Sequence, residues 1–362
     1  MARHSLGFIP TVSQNTDART SIAMWWRSRS AHRAKDVQDR TMVKQSAQAG
    51  LHWVLGPAVD KVPHGHARAT AALRVLLGLM WLYNVSWKRA PDFGQDAGDG
   101  LFKFTSYAVS HPVLPPYSWI VEHLVLPHFQ IFGWVVLAAE TALAVLLLTG
   151  TWVRAAATLG IAQSVAIALS VAYAPAEWPW SYWLMIGAHV VILFSSAGRV
   201  LSVEAVLAGL SRSTSLLRVW GVLAVLVGLV AVVGSLSDPL AARGYDVGSS
   251  DLSVSLGSYN LVGGLVLLLI GALLLATPRL GAVAGGRAPL AAAVLASVAA
   301  LSLYVQLGFS DPVLGGSATS AAYLLCLAVV GVAVARRTST STSTSTSPTP
   351  SHQRPAPPSA AS

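Results

Sequence analysis

The chain has 362 residues, of which 54% are hydrophobic and 11% charged, with a formal net charge of +9. Soluble globular chains carry about 25% charged residues, so this composition excludes an ordinary water-soluble domain and sets much of the chain against lipid. The basic residues sit at the ends of apolar runs, not in a patch interleaved with aromatics, which argues against nucleic acid as a partner.

Residues 1–66 are polar and basic, without a long apolar run or a signal-peptide pattern. They read as a disordered cytoplasmic segment. The first apolar span runs from about Ala69 to Trp87. A long loop follows, with apolar pieces Leu101–Val109 and Tyr117–Leu126 broken by Pro112, Pro115, Pro116 and Pro127. These pieces are too short to cross a bilayer and read as interfacial or re-entrant helices. Spans two to four are about Phe129–Leu148, Trp152–Tyr173 and Trp180–Ser196. Spans five to eight are about Leu216–Leu236, Tyr259–Thr277, Pro289–Phe309 and Thr319–Ala335. The sequence therefore predicts an all-α integral membrane protein with about eight transmembrane helices. Residues 338–362 form a Ser/Thr repeat and a Pro-rich end, expected to be a disordered cytoplasmic tail.

The loops set the orientation. Lys61, Arg68, Arg154, Arg199, Arg212, Arg218, Arg279, Arg287, Arg336 and Arg337 fall in the even-numbered connections and the two ends. The alternate loops are acidic or mixed. The positive-inside rule then puts both termini in the cytoplasm of a cell-membrane protein.

An ionisable group at mid-membrane costs roughly 2.5–3.5 kcal/mol on insertion scales, so it needs a partner or a function. Glu140 lies near the middle of span two, Gln163 of span three and His189 of span four, with Asn84 in the outer half of span one. Four polar groups at similar depth can meet inside one bundle. A carboxylate beside an imidazole makes a proton-exchanging pair able to hydrogen-bond a quinone carbonyl. The competing reading is a set of interhelical hydrogen bonds that locks the bundle. Lys88, Arg89 and Lys103 could attract a small anion such as thiosulfate at the outer face, or serve as snorkelling anchors. His111, Glu122, His123 and His128 match no metal-ligand spacing, and no haem-attachment or phosphate-loop motif occurs, so no metal or haem site is expected. The lone Cys326 cannot close an intrachain disulfide.

Three stretches carry a family resemblance. Span one opens Leu73-Arg74-Val75-Leu76-Leu77-Gly78 and closes Trp87-Lys88. Span two reads Glu140-Thr141-Ala142-Leu143-Ala144-Val145-Leu146-Leu147-Leu148-Thr149-Gly150, followed by Arg154-Ala155-Ala156. Span four is followed by Gly198-Arg199-Val200-Leu201-Ser202-Val203-Glu204. Together they resemble the DoxX/DoxD family of small membrane proteins, with Asn84 and Ala144 where glycine is common and Glu204 in place of an aspartate. The resemblance covers roughly residues 69–208. It implies a DoxX-like four-span bundle over 67–208, followed by a second four-span set over 209–337. It further implies a membrane subunit engaged in redox work, similar to the quinone-reactive subunit of thiosulfate:quinone oxidoreductase. On that resemblance Glu140 and Arg154 are the residues to test first.

The first expectation is a membrane subunit of a quinone-linked oxidoreductase acting with a second oxidoreductase subunit. Glu140 and His189 would exchange protons. Asn84, Gln163 and Arg154 would hold the quinone, and Lys88 and Arg89 would draw the anion. The alternatives are a non-catalytic scaffold for a soluble redox-defence enzyme and a small-molecule transporter. The near absence of polar residues in spans five to eight weighs against transport.

Overall fold

The computed structural model describes residues 44–248, 253–280 and 282–344. The chain divides into two units, 1–55 and 56–362. The described part of the first is a helix over 44–55 with Leu51, Trp53 and Leu55 exposed. The disorder expected of 1–66 and of 338–362 falls mostly outside the described residues. Within them, residues 338–344 simply prolong the last helix.

The second unit is a helical bundle. Helix α1 is His64–Ser86, and α2, Gly100–Ser110, lies in the long loop. Helix α3, Pro115–Ile120, does not end at Pro127. It runs through a π turn, Val121–Val125, and a 3-10 turn, Leu126–His128, into α4, Phe129–Thr149. The sequence reading split this stretch at Pro127. The wider turn accommodates the proline ring and its missing N–H, so the helix continues for 35 residues. Helix α4 stops at Gly150, whose left-handed φ of 67° lets the chain reverse.

Helices α5, Val153–Val171, and α6, Trp180–Leu193, complete the first set. A single turn of helix, α7, Val203–Leu207, is capped by Ser202, whose hydroxyl accepts from the Ala205 N–H at 3.0 Å. Helix α8, Ser213–Gly234, leads to a hairpin of β1, Arg243–Gly248, and β2, Ser253–Tyr259. Then come α9, Leu261–Ala276, α10, Ala282–Val305, and α11, Ala318–Thr344.

Among the described residues, seven helices are long and apolar enough to cross a bilayer, the pattern of a mostly helical multi-pass membrane protein. The expected fourth span is shorter. Helix α6 has 14 residues, which at 1.5 Å each is about 21 Å, less than the ~30 Å hydrocarbon core. The hairpin is a departure from an all-helical chain. Its alternation of Tyr245, Val247, Val254 and Leu256 with polar or glycine neighbours is a period-two pattern.

Neighbouring helices pack as antiparallel pairs, α1 on α4, α5 on α6, α8 on α9 and α10 on α11. Helix α11 also meets α1 and α4, and 83% of its apolar window is buried, so one core runs through both sets. The Gly263-Gly264 pair allows close approach, since a Cβ at Gly264 would lie 2.9 Å from Val232 of α8.

Candidate functional site

Helix α1 ends at Ser86, and Lys88 folds back over its last turn. The Lys88 ammonium donates to the Asn84 carbonyl at 2.9 Å and lies 3.8 Å from the centre of the Trp87 ring. It also meets the Glu140 carboxylate at 2.5 Å, with both side chains buried. Glu140 is buried on α4, as are Val136, Leu137 and Ala144 within one turn of it. The Gln163 amide, from α5, approaches the other Glu140 oxygen at 3.5 Å. The Asn84 side chain donates to the Met80 carbonyl of its own helix at 3.1 Å. Burial pulls the Lys88 ammonium below the usual lysine range, and the Glu140 carboxylate opposes that pull.

This ion pair forms part of the wall of a half-open cavity of about 540 Å³. Its other walls mix aromatic residues, Trp87, Phe104, Phe132 and Tyr83 among them, with aliphatic side chains and the acidic Asp99 and Glu177. Tyr117 and Tyr182 are also in the lining. The Tyr117 hydroxyl lies 2.9 Å from Ser170, and the Tyr182 hydroxyl donates to Glu177 at 2.5 Å. Arg89 also borders the cavity and is exposed. An apolar cavity with a few convergent polar groups is the usual form of a small-molecule site.

The structure brings Lys88, Glu140, Gln163, Asn84 and Arg89 to one cavity. It does not bring His189 there. The His189 ring is fully buried; its Nε2 accepts from the Trp81 indole N–H at 3.0 Å, and its Nδ1 donates to the Met185 carbonyl at 2.8 Å. Both nitrogens are used by a neutral ring, so the carboxylate–imidazole pair expected from the sequence is replaced by carboxylate–ammonium. The ring presses on Gly160, where a Cβ would stand 2.1 Å from it.

Arg154 belongs to a second charged cluster, built around the turn from α4 into α5. It binds Asp60 at 2.5 Å and the Pro57 carbonyl at 3.3 Å. Beside it the buried Arg74 guanidinium donates to the carbonyls of Leu147 at 2.7 Å and Leu201 at 3.0 Å. The Leu147 carbonyl belongs to the C-terminal turn of α4, where a cation also complements the helix dipole. The Glu204 carboxylate accepts from Val153, the first residue of α5, and from Ala58, each at 2.8 Å. Burial pushes the Glu204 carboxyl up, while these two N–H groups and the guanidinium groups of Arg74 and Arg154 pull it back.

The sequence reading missed Tyr117, Glu177 and Tyr182 as cavity residues. The first lay in a segment read as broken, and the other two at a span end rich in aromatics. Of the loop histidines, His123 stacks on Trp119 at 4.9 Å and His111 meets Tyr107 edge-on at 5.6 Å. Among the described residues, no group of three His, Cys, Asp or Glu side chains is placed to hold a metal. No protein-family model, no curated protein and no solved structure matches the chain.

Proposed function

We propose that the protein is the membrane subunit of a quinone-linked oxidoreductase and binds the quinone headgroup in the aromatic cavity beside Lys88 and Glu140. The observation that carries this reading is the buried Lys88–Glu140 pair in a cavity wall. Reduction of a quinone to a quinol takes up two electrons and two protons. A hydrogen-bond donor at a quinone carbonyl stabilises the negative charge that develops there. Lys88 supplies that donor, Gln163 orients the Glu140 carboxyl, and Glu140 passes protons to the carbonyl oxygens. The aromatic walls stack on the ring. The electrons come from a donor held by a second subunit. In keeping with the DoxX/DoxD resemblance, that donor is thiosulfate, two molecules of which yield tetrathionate and two electrons. Exposed Arg89 draws the anion toward this face of the protein, where the second subunit holds it.

The reading counts α6 as an eighth, short span and places both termini in the cytoplasm. The Arg74–Glu204 end, with Arg154 and Arg199, then faces the cytoplasm, and the cavity lies toward the other side.

The test is thiosulfate-dependent reduction of a quinone analogue in native-host membranes, which retain a partner subunit. Glu140→Gln removes the charge and keeps the shape, and we expect it to lower the rate by about 10²-fold, the usual scale for an acid–base group. A rate that is lost on deleting the protein but unchanged in Glu140→Gln would favour a scaffold. A rate unchanged by the deletion would end the thiosulfate reading.

A further inference from the structure

Lys88 and Glu140 occupy one end of the cavity, and a second polar group stands at the other. On α5, Gln163, Ala166, Ile167, Ser170 and Val171 all line the cavity. Their spacing of three and four residues makes one helix face, which runs along the wall. The Gln163 amide lies 3.5 Å from Glu140, and the Ser170 hydroxyl lies 2.9 Å from the Tyr117 hydroxyl. The helix rise from Gln163 to Ser170 puts these two polar ends about 10 Å apart. Ala166 and Ile167 stand between them.

Tyr117 reaches α5 because the chain bends. It follows Pro115 and Pro116 in the first turn of α3. A straight helix would hold it about 35 Å from Glu140. The π turn and the 3-10 turn over 121–128 are features that kink a helix. They return Tyr117 to the same face of α5 that Gln163 shares.

The hydrogen bonds at this end leave Tyr117 able to turn. The Ser170 hydroxyl donates to the Ala166 carbonyl at 2.9 Å. The Tyr117 hydroxyl lies 3.2 Å from the same carbonyl. If Tyr117 points its O–H into the cavity, Ala166 keeps Ser170 and no group loses its only partner. The Tyr182 hydroxyl lacks this freedom, because it is committed to the Glu177 carboxylate.

A para-quinone carries carbonyl oxygens at opposite ends of a planar ring. With an O–H···O bond of about 2.8 Å at each end, the groups that bind them stand roughly 11 Å apart. The two polar ends of the cavity match that spacing. A quinone needs donors at both oxygens, and a quinol needs acceptors. The Lys88–Glu140 pair offers both at one end, and the Tyr117 hydroxyl offers both at the other.

We infer that Tyr117 binds the second oxygen of the ligand, so that the site selects para-quinones, and that Ser170 holds the Tyr117 hydroxyl in place. This assignment rests on the quinone reading of the cavity.

The experiment is infrared difference spectroscopy of the full chain in detergent, with a short-tailed ubiquinone analogue isotopically labelled at one or the other ring carbonyl. Hydrogen bonding lowers a carbonyl's stretching frequency, and the label shows which carbonyl is bound. In the wild type both bands should lie below their positions in apolar solvent. Tyr117→Phe keeps the ring and removes the hydroxyl. It should return one band to its free position, leave the other unmoved, and weaken binding by roughly three- to tenfold, the worth of one hydrogen bond. Lys88→Met with Glu140→Leu should move the opposite band. In the wild type, where no substitution disturbs folding, a tail-matched phenol with one ring oxygen should bind more weakly than the quinol by a similar factor. Bands unmoved by Tyr117→Phe, or equal affinity for phenol and quinol, would overturn the Tyr117 assignment and leave the quinone reading standing. No saturable binding of the quinone to the wild type would remove both.

Discussion

At the turn from α4 into α5, the buried charged groups Arg74 and Glu204 are held mainly by backbone. Arg74 is spent on the carbonyls of Leu147 and Leu201, and Glu204 on the N–H groups of Val153 and Ala58. Beyond the other end of α1, Lys88 and Glu140 bind each other beside a cavity, with one long amide contact from Gln163. Arg74 and Glu204 are about as buried as Lys88 and Glu140, yet the two sets differ in what completes them. Charge completed by backbone groups fastens helices together. Charge completed by another side chain at a cavity wall can exchange that partner for a ligand.

The comparison breaks first at double substitution. Arg74→Met with Glu204→Leu orphans several backbone groups at about 1–3 kcal/mol each. The loss exceeds about 5 kcal/mol and should abolish the folded species in detergent chromatography. A variant that stays folded with a near-normal melting temperature would erase the distinction between the clusters. Lys88→Met with Glu140→Leu strands few backbone groups. Replacing a buried ion pair by apolar side chains is often neutral or stabilising by about 1–4 kcal/mol. We expect an equal or higher melting temperature, together with loss of quinone binding.

Smaller effects sharpen the picture. His189→Phe leaves the Trp81 indole N–H unpaired, which costs about 1–3 kcal/mol by thermal unfolding. Quinone affinity should stay within twofold, because His189 is outside the cavity; a tenfold loss would return His189 to the site. Asp60→Asn removes one partner of an ion pair whose acid is 64% exposed. Its effect on the melting temperature should correspond to no more than about 1 kcal/mol.

The spans and the buried polar residues were legible because a polar residue in an apolar run stands out by its cost. Glu140 and Gln163 were found that way, and the structure sets them side by side. Their partner was not found. Lysine at a span end reads as an anchor, and only the reversal of the chain at Trp87 turns Lys88 back toward α4. His189 was equally visible, but its environment depends on Trp81, 108 residues away. The resemblance directed attention to Arg154, yet the arginine tied into the α4 turn by backbone carbonyls is Arg74. Its role rests on carbonyls that no residue type announces. Pro127 was read as a helix break because a π turn has no composition signal. The hairpin's alternation was present, but four apolar residues on two short strands are easily absorbed into a loop.

The central claim is that the Lys88–Glu140 cavity receives a quinone headgroup. Its most direct test is titration of the purified full chain with a short-tailed ubiquinone analogue, comparing wild type with Lys88→Met/Glu140→Leu by calorimetry. The double variant is expected to be folded, so a change in affinity reports on the site. The account predicts saturable binding to the wild type at one quinone per chain, weakened at least about tenfold, or roughly 1.4 kcal/mol, in the variant. Equal affinity in the two proteins, or no binding to the wild type, would contradict it.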